Sequence, residues 1–223
     1  MIAYAKQGRG RWAEELRAEI QCLRWLQGQV AVPELLGWSD DQRDGQWVWM
    51  VTSVLAGTVA CGSLHRREPA RTIVRVAEAL RQFHALPRDE CPFDARLGQV
   101  LAVARLRVAR GWVDESDFDQ ERQGWTATEV LAEVERTVPV GEDLVVTHGD
   151  PCLPNVLFDG PRLGGWIDLG RLGVGDRHRD LALVARSADY NLGARWGQRL
   201  LEAYGGAIDE ERLAFYRMLD ELW

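Results

Sequence analysis

The stretch that decides the fold is His148-Gly-Asp-Pro-Cys-Leu-Pro-Asn155, which is followed after twelve residues by Asp168. It sets Asp150, Asn155 and Asp168 at successive offsets of five and thirteen residues. An Asp, an Asn and a second Asp in this order suit phosphoryl transfer, in which one carboxylate orients the accepting hydroxyl and takes its proton. The Asn and the second Asp supply oxygen ligands of the kind that Mg²⁺ prefers. The stretch therefore predicts a catalytic loop and a nearby metal site.

Each of these residues, taken alone, also fits a structural role. Asp150 could cap the amides of a turn, Asn155 is a common turn residue, and Asp168 follows an apolar run. The fixed spacing of all three, between short β-forming runs, favours the catalytic interpretation. His148 is expected to make structural hydrogen bonds rather than to act as an acid or a base.

Two charged residues near the start of the chain form a second candidate pair. Lys6 ends the first predicted strand, and Glu19 lies on the predicted helix that follows. A Lys–Glu pair of this kind can hold a lysine against the α- and β-phosphates of a nucleotide. A surface lysine and a solvated glutamate are the commoner outcome, so the later motif is what favours the pair. No Gly-x-x-x-x-Gly-Lys-Ser/Thr sequence is present, and we expect no P-loop.

The pattern of predicted elements changes near residue 57. Before it, the chain reads as strand, helix and strand, with Pro33 and Gly37 interrupting the pattern. These elements cover residues 2–5, 12–27 and 46–55. After it, the predicted helices are 71–85, 96–109, 126–138, 177–190, 195–204 and 209–221, with short β runs at 144–147, 155–158 and 164–168. We expect an N-terminal nucleotide-binding lobe at 1–57 and a C-terminal catalytic and substrate-binding lobe at 58–223.

Composition narrows the class of protein and of ligand. The chain has 223 residues, 27 of them basic and 34 acidic, which gives a formal charge of −7. Such a surface disfavours nucleic acid and anionic membranes and favours a cationic ligand. There is no apolar run of membrane-spanning length and no secretory leader, so we expect a soluble, cytoplasmic protein. The four cysteines form no Cys-x-x-Cys pair, so we expect reduced thiols.

These motifs resemble those of the aminoglycoside phosphotransferases, most closely the 3′-phosphotransferases that act as kanamycin and neomycin kinases. Leu144–Asn155 is similar to that family's brace and catalytic loop, and Ile167–Arg177 is similar to its metal-binding segment. Gly111–Gly124 is similar to its substrate-side insert, and Ala214–Trp223 to its C-terminal helix. The resemblance covers nearly the whole chain.

The resemblance implies an α+β, protein-kinase-like fold of two lobes, with a mainly helical C-terminal lobe. It implies Mg²⁺-dependent transfer of the γ-phosphoryl group of ATP or GTP to a hydroxyl, expected to be the 3′-hydroxyl, of an aminoglycoside or similar cationic molecule. The family has two further strands and a glycine-containing loop before the position that matches Met1, so we expect either a truncated N-terminal lobe or a start that is assigned too late. Such a transfer confers resistance to the antibiotic.

Residue by residue, the resemblance implies the roles of the nucleotide and metal site. Asp150 is the catalytic Asp, and Asn155 and Asp168 are the Mg²⁺ ligands. Lys6 contacts the nucleotide phosphates, with Glu19 as its ion-pair partner. These five positions match the family's motifs one by one.

The resemblance also implies which residues contact the two substrates elsewhere. The strand end from Ser53 to Leu55 presents backbone groups to adenine. Where the family carries acids, this chain has Gln120, Ser187 and Tyr190, which weakens the anionic pocket. The residues implied to line the aminoglycoside pocket are Asp117, Arg171, Asp220, Glu221 and Trp223 through its carboxylate.

Three alternatives remain open at this point. The segment Ile167–Gly173 is also similar to streptomycin 3″-phosphotransferases. The three missing acids fit a kinase of another small hydroxylated metabolite. The shortened N-terminal lobe fits a pseudokinase remnant that lacks a nucleotide lid and binds without catalysing transfer.

Overall fold

The computed structural model describes residues 2–41 and 47–223. The strands are β1 (Ala3–Gly8), β2 (Leu35–Asp41), β3 (Trp47–Ser53), β4 (Thr58–Val59), β5 (Leu144–Thr147), β6 (Val156–Asp159), β7 (Arg162–Trp166) and β8 (Gly173–Asp176). The α-helices are α1 (Arg11–Leu26), α2 (Ser63–Arg67), α3 (Pro69–His84), α4 (Leu97–Ala109), α5 (Ala127–Arg136), α6 (Arg177–Leu192), α7 (Trp196–Tyr204) and α8 (Glu210–Asp220). Within the two described ranges, no helix is both long and apolar enough to cross a membrane.

The first sheet is antiparallel, with β3 in the middle between β1 and β2. Side chains of β3 alternate, so Val48 and Met50 are buried while Trp49 lies on the opposite, exposed face. Helix α1 covers the buried face, because Leu16 and Ile20 recur four residues apart and point toward the sheet. This packing of α1 on the sheet places Lys6 of β1 next to Glu19 of α1.

The sequence prediction for this region was wrong in one element. Pro33 and Gly37 were expected to interrupt the structure, but Leu35–Asp41 forms strand β2. A register shift between Leu35 and Gly37 absorbs the irregularity as a bulge and preserves the pairing with β3. Strand β1 also runs on to Gly8 instead of ending at Lys6, and residue 46 of the predicted strand lies outside the described residues.

The remainder of the chain packs helices around two small sheets. One sheet has the order β4-β6-β7 and the other pairs β5 with β8. Helix α3 presents Ile73, Leu80 and Phe83 to the core at helical spacing. Helix α5 begins with the predicted capping box, in which Thr126 and Glu129 each accept a backbone N–H of the other.

The β6–β7 hairpin and strand β5 position the candidate site. The catalytic loop begins directly after β5 and ends directly before β6. In the hairpin Val156 pairs with Trp166, and the backbone O of Asn155 accepts the N–H of Ile167 at 3.0 Å. The last residue of the loop and the residue after β7 are therefore neighbours, which brings the two ends of the motif together.

Candidate active site

His148 braces the catalytic loop from inside the core. Its Nδ1 accepts the backbone N–H of Asp150 at 3.2 Å, and its Nε2 lies 3.1 Å from the backbone O of Ile167. Because Nδ1 accepts, the proton is assigned to Nε2, which donates to that carbonyl. Burial lowers the pKa of His148, so that the ring stays neutral. The structural role expected from the sequence agrees with these contacts.

Asp180 on α6 anchors the backbone of the same loop. Its carboxylate accepts the N–H of His148 at 2.7 Å and that of Gly149 at 2.9 Å. The side chain is fully buried, and burial raises its pKa. Hydrogen bonds from the side chain of His84 and from the backbone N–H of His148 outweigh this effect, so the pKa of Asp180 is lowered overall. Sequence reasoning missed this residue; the available signal was an acid on the apolar face of α6.

Gly149 allows the catalytic loop to touch the segment that follows β7. Its φ is +87°, in the region that favours glycine. A Cβ at this position would lie 2.3 Å from the backbone O of Arg171. The two segments that carry the motif are therefore in backbone contact, and no side chain fits between them.

The Asp-Asn-Asp motif is brought together by short contacts. The Nδ2 of Asn155 donates to the backbone O of Asp150 at 3.0 Å, which turns the amide oxygen away from the loop. Asp168 follows Ile167, the hydrogen-bonding partner of Asn155, and has a φ of +58°. This left-handed conformation reverses the chain after β7 and leaves the Asp168 side chain about half exposed. Asp150, between His148 and the amide of Asn155, is held through its main chain.

Lys6 connects the first sheet to this motif. Its Nζ lies 2.8 Å and 3.0 Å from the two carboxylate oxygens of Glu19, and it also contacts the carboxylate of Asp168. Burial lowers the pKa of Lys6, but attraction to Glu19 and hydrogen bonding to Asp168 outweigh it, so the pKa is raised overall. Burial raises the pKa of Glu19, although Lys6 opposes the shift. The predicted pair is formed, and Lys6 also reaches the second Asp.

The donor set fits Mg²⁺. Asn155 and Asp168 offer amide and carboxylate oxygens, and Mg²⁺ usually takes one or two such ligands together with waters and substrate phosphates. Over residues 2–41 and 47–223, no three His, Cys, Asp or Glu side chains are grouped to hold a metal on their own. A site with only two protein ligands suits a Mg²⁺ ion that binds together with a nucleotide.

The strand end expected near adenine has part of its backbone already bonded. The N–H of Ser53 donates to the backbone O of Glu34 at 2.9 Å, and its Oγ accepts the N–H of Glu34. Leu55 packs on the hairpin, since a Cβ at Gly165 would lie 2.8 Å from its Cδ1. Backbone groups beyond Ser53 are therefore better placed for a base than the Ser53 N–H itself.

The acids predicted to line the second-substrate pocket are already paired with arginines. Asp220 lies 3.4 Å from Arg171 through Oδ1 and contacts Arg186 through Oδ2. Arg186 also lies 3.5 Å from Asp119. Sequence reasoning missed Arg186, because nothing in the local pattern links α6 to the insert. Asp117 is exposed in the turn Glu115–Asp117.

Glu221 and Trp223 are held by further arginines. Glu221 accepts the backbone N–H of Asp119 at 3.1 Å and lies 3.3 Å from Arg122. Burial raises the pKa of Glu221 to about 7. Arg107 donates to the backbone O of Trp223 at 2.9 Å. The expected anionic pocket is thus substantially charge-compensated.

Two of the three positions where the family carries acids have defined environments. The Oγ of Ser187 accepts the backbone N–H of Leu153 at 2.9 Å, so this residue ties α6 to the catalytic loop. Tyr190 is 89% exposed. Neither replaces the missing negative charge.

A sheet lysine paired with a helix glutamate, an Asp–Asn loop and an Asp after a hairpin define a kinase-like phosphotransferase site. The sequence model described as "Phosphotransferase enzyme family" matches residues 4–216, and the chain belongs to this family. An aminoglycoside 3′-phosphotransferase of Streptomyces fradiae is 41% identical over 219 residues, which are 95% of this chain and 81% of that protein.

Solved structures agree with this assignment. The crystal structure of an aminoglycoside-3′-phosphotransferase of type VIII is similar with a TM-score of 0.91 and 38% identity, over 99% of this chain and 85% of that one. Aminoglycoside phosphotransferase APH(3″)-Id from Streptomyces rimosus, in complex with ADP and streptomycin, gives 0.86 and 33%, over 99% and 86%. The predicted family and α+β, kinase-like fold are confirmed.

Proposed function

We propose that this chain transfers the γ-phosphoryl group of ATP to the 3′-hydroxyl of an aminoglycoside, with Mg²⁺, in the cytoplasm. The observation that carries the proposal is the contact of Lys6 with both Glu19 and Asp168. This contact joins the first sheet, helix α1 and the catalytic motif into one site, as phosphoryl transfer requires. The similarity to aminoglycoside 3′-phosphotransferases supports the choice of acceptor.

Asp150 is the group that orients the acceptor hydroxyl and takes its proton. Its main chain is fixed by His148 on one side and by Asn155 on the other, so the backbone that carries its carboxylate is held in place. Phosphoryl transfer asks little covalent work of a protein and depends on alignment and charge stabilisation. Asn155 and Asp168 would hold Mg²⁺, which when bound neutralises charge on the phosphates.

Lys6 is the nucleotide-phosphate ligand of the proposed site. In the structure its ammonium group contacts Asp168, the carboxylate that we assign to the metal. Lys6 would hold a nucleotide phosphate and Asp168 would hold Mg²⁺, so each of these charges would have a partner in the loaded site. Glu19 would keep the lysine in place through its two contacts with Nζ. We also propose residues 1–57 and 58–223 as the two lobes between which the nucleotide lies.

The second candidate function is transfer to the 3″-hydroxyl of streptomycin. It is favoured by the similarity to the Streptomyces rimosus enzyme, whose structure contains ADP and streptomycin. The compensated pocket around Asp220 also suits it, because two arginines already neutralise this acid. Such a pocket offers less attraction to a substrate with many ammonium groups.

The two candidates are separated by measuring γ-phosphoryl transfer from ATP to kanamycin and to streptomycin side by side. Asp150→Asn serves as the catalytic variant, and Asp159→Asn, an exposed acid at the end of β6, as its matched control. We expect loss of kcat by about 10²- to 10⁴-fold in the first variant and an unchanged rate in the second. Transfer at the wild-type rate by Asp150→Asn would falsify the role of this residue. Transfer to neither antibiotic overturns the proposed function.

A further inference from the structure

A chain of buried hydrogen bonds leads from two helices to the catalytic loop. The hydroxyl of Tyr204 lies 2.9 Å from Nδ1 of His84, and Nε2 of His84 lies 3.1 Å from Oδ2 of Asp180. Asp180 in turn accepts the backbone N–H groups of His148 and Gly149. His84 ends α3 and Tyr204 ends α7, so the ends of two helices are connected to the loop through α6.

The ionised carboxylate of Asp180 determines which groups donate and which accept along this series of hydrogen bonds. An ionised carboxylate only accepts, so Nε2 of His84 donates to Asp180. Nδ1 of His84 then faces the hydroxyl of Tyr204 at 2.9 Å. His84 and Tyr204 are each 8% exposed, and Asp180 is fully buried. Water is therefore a poor substitute for any of these partners, and each group has one preferred orientation.

The position of Asp180 depends on the donor from His84. Its Oδ2 receives both Nε2–H of His84 and the N–H of His148, and these two donors approach the same oxygen from different elements. When one donor is lost, the buried carboxylate shifts to recover its hydrogen bonds. A shift of Oδ2 moves the amide of His148, whose ring holds the N–H of Asp150. The displacement thus reaches the catalytic residue.

We propose that His84 is a positioning residue for phosphoryl transfer. Its Nε2–H orients the carboxylate of Asp180 and, through it, the backbone that carries Asp150. The kinetic part of this inference rests on the proposed function. The placement of the loop backbone is a property of the protein alone and is measured without turnover.

Two substitutions, His84→Gln and His84→Asn, distinguish the role of Nε2 from that of Nδ1. The amide nitrogen of Gln reaches the place of Nε2 and can still donate to Asp180, whereas that of Asn reaches the place of Nδ1 and cannot. We expect His84→Asn to lower kcat by between about tenfold and a hundredfold. His84→Gln should restore most of this loss, and the KM values of both substrates should hardly change in either variant. A general packing role would affect the two variants alike.

The matched control is Thr72→Val on the same helix. Thr72 is also buried, and its hydroxyl donates to the backbone O of His65 at 3.1 Å. This variant removes one buried hydrogen bond of α3 and leaves Asp180 untouched. We expect a small loss of thermal stability and an unchanged kcat.

Hydrogen exchange at the amides of His148 and Gly149, followed by NMR, is the readout that needs no substrate. We expect faster exchange in His84→Asn than in the wild type, and near-wild-type exchange in His84→Gln. Equal exchange in all three proteins, or equal losses of kcat in the two variants, overturns the proposal. If both variants fail to fold, Tyr204→Phe is compared with Thr72→Val. Equal exchange at the amides of His148 and Gly149 in these two variants also overturns the proposal. A wild-type protein that phosphorylates no aminoglycoside defeats the proposed function, while the exchange data still decide the role of His84.

Discussion

Gly149→Ala is the substitution for which the structure gives the sharpest expectation. The glycine has a φ of +87°, and a Cβ there would lie 2.3 Å from the backbone O of Arg171 and 2.6 Å from its Cβ. Gly160, at the turn of the β6–β7 hairpin, has a φ of +54° and nothing within 4 Å of the same added atom. Gly160→Ala therefore reproduces the backbone strain without the overlap.

The difference between the two variants measures the contact between the catalytic loop and the segment that follows β7. A non-glycine residue in the left-handed region costs about 1–2 kcal/mol, and we expect a loss of this size from Gly160→Ala. At Gly149 the overlap involves backbone atoms of Arg171, which cannot rotate away. Overpacking of this kind adds about 1–3 kcal/mol. With about 2–4 °C per kcal/mol for a chain of this size, the combined loss should lower Tm by about 4–20 °C in Gly149→Ala.

The same displacement should appear in catalysis. Asp150 is the next residue, and a catalytic group misplaced by about 1 Å can cost about a hundredfold in rate. Thermal unfolding and steady-state kinetics of the two variants and the wild type give both quantities. We expect kcat to fall strongly in Gly149→Ala and to stay near the wild-type value in Gly160→Ala. Matching Tm and kcat values for the two variants would refute the close approach on which the site geometry depends.

Two further predictions concern charged groups. Lys6→Met should raise the KM for ATP by about 10- to 100-fold, because a charge-assisted hydrogen bond is worth about 1.5–3 kcal/mol. Steady-state kinetics over a range of ATP concentrations measures this value. An unchanged KM contradicts the prediction. Burial raises the pKa of Glu221 from 4.5 to about 7. The stabilisation from its bound proton is therefore complete below about pH 4.5 and is lost as the pH rises through about 7. When thermal unfolding is measured from pH 5 to 8.5, the Tm of the wild type should fall relative to that of Glu221→Gln. Equal dependence of Tm on pH in the two proteins would exclude the raised pKa of Glu221.

Local patterns in the sequence predicted the elements that short-range forces determine. The apolar spacing of α1 and α3 and the capping box at Thr126 and Glu129 are all present in the structure. The hairpin was also predictable from the β runs at 155–158 and 164–168, although the second strand ends at Trp166, two residues before the predicted end. Each of these features is encoded within a few residues of where it acts.

Features that depend on distant partners were not predictable in this way. Strand β2 owes its existence to pairing with β3 through a bulge, which overrides the local signals of Pro33 and Gly37. In the sequence, Asp180 looks like an ordinary acidic residue of a helix. In the structure, the backbone N–H groups of His148 and Gly149 donate to its carboxylate. Its function comes from burial against a segment about thirty residues away. One sequence carries no record of such a pairing.

The acidic composition of the chain is a poor guide to the charge around the residues proposed to line the pocket. A formal charge of −7 attracts a cation over long distances. Among the residues proposed to line the pocket, Asp220 is shared by Arg171 and Arg186, and burial raises the pKa of Glu221 to about 7. An ammonium group of the substrate must therefore compete with a guanidinium group that is already in place. If these residues line the pocket, as we propose, net charge would bring a cationic antibiotic to the surface, and discrimination among antibiotics would depend on which of these ion pairs each one can replace.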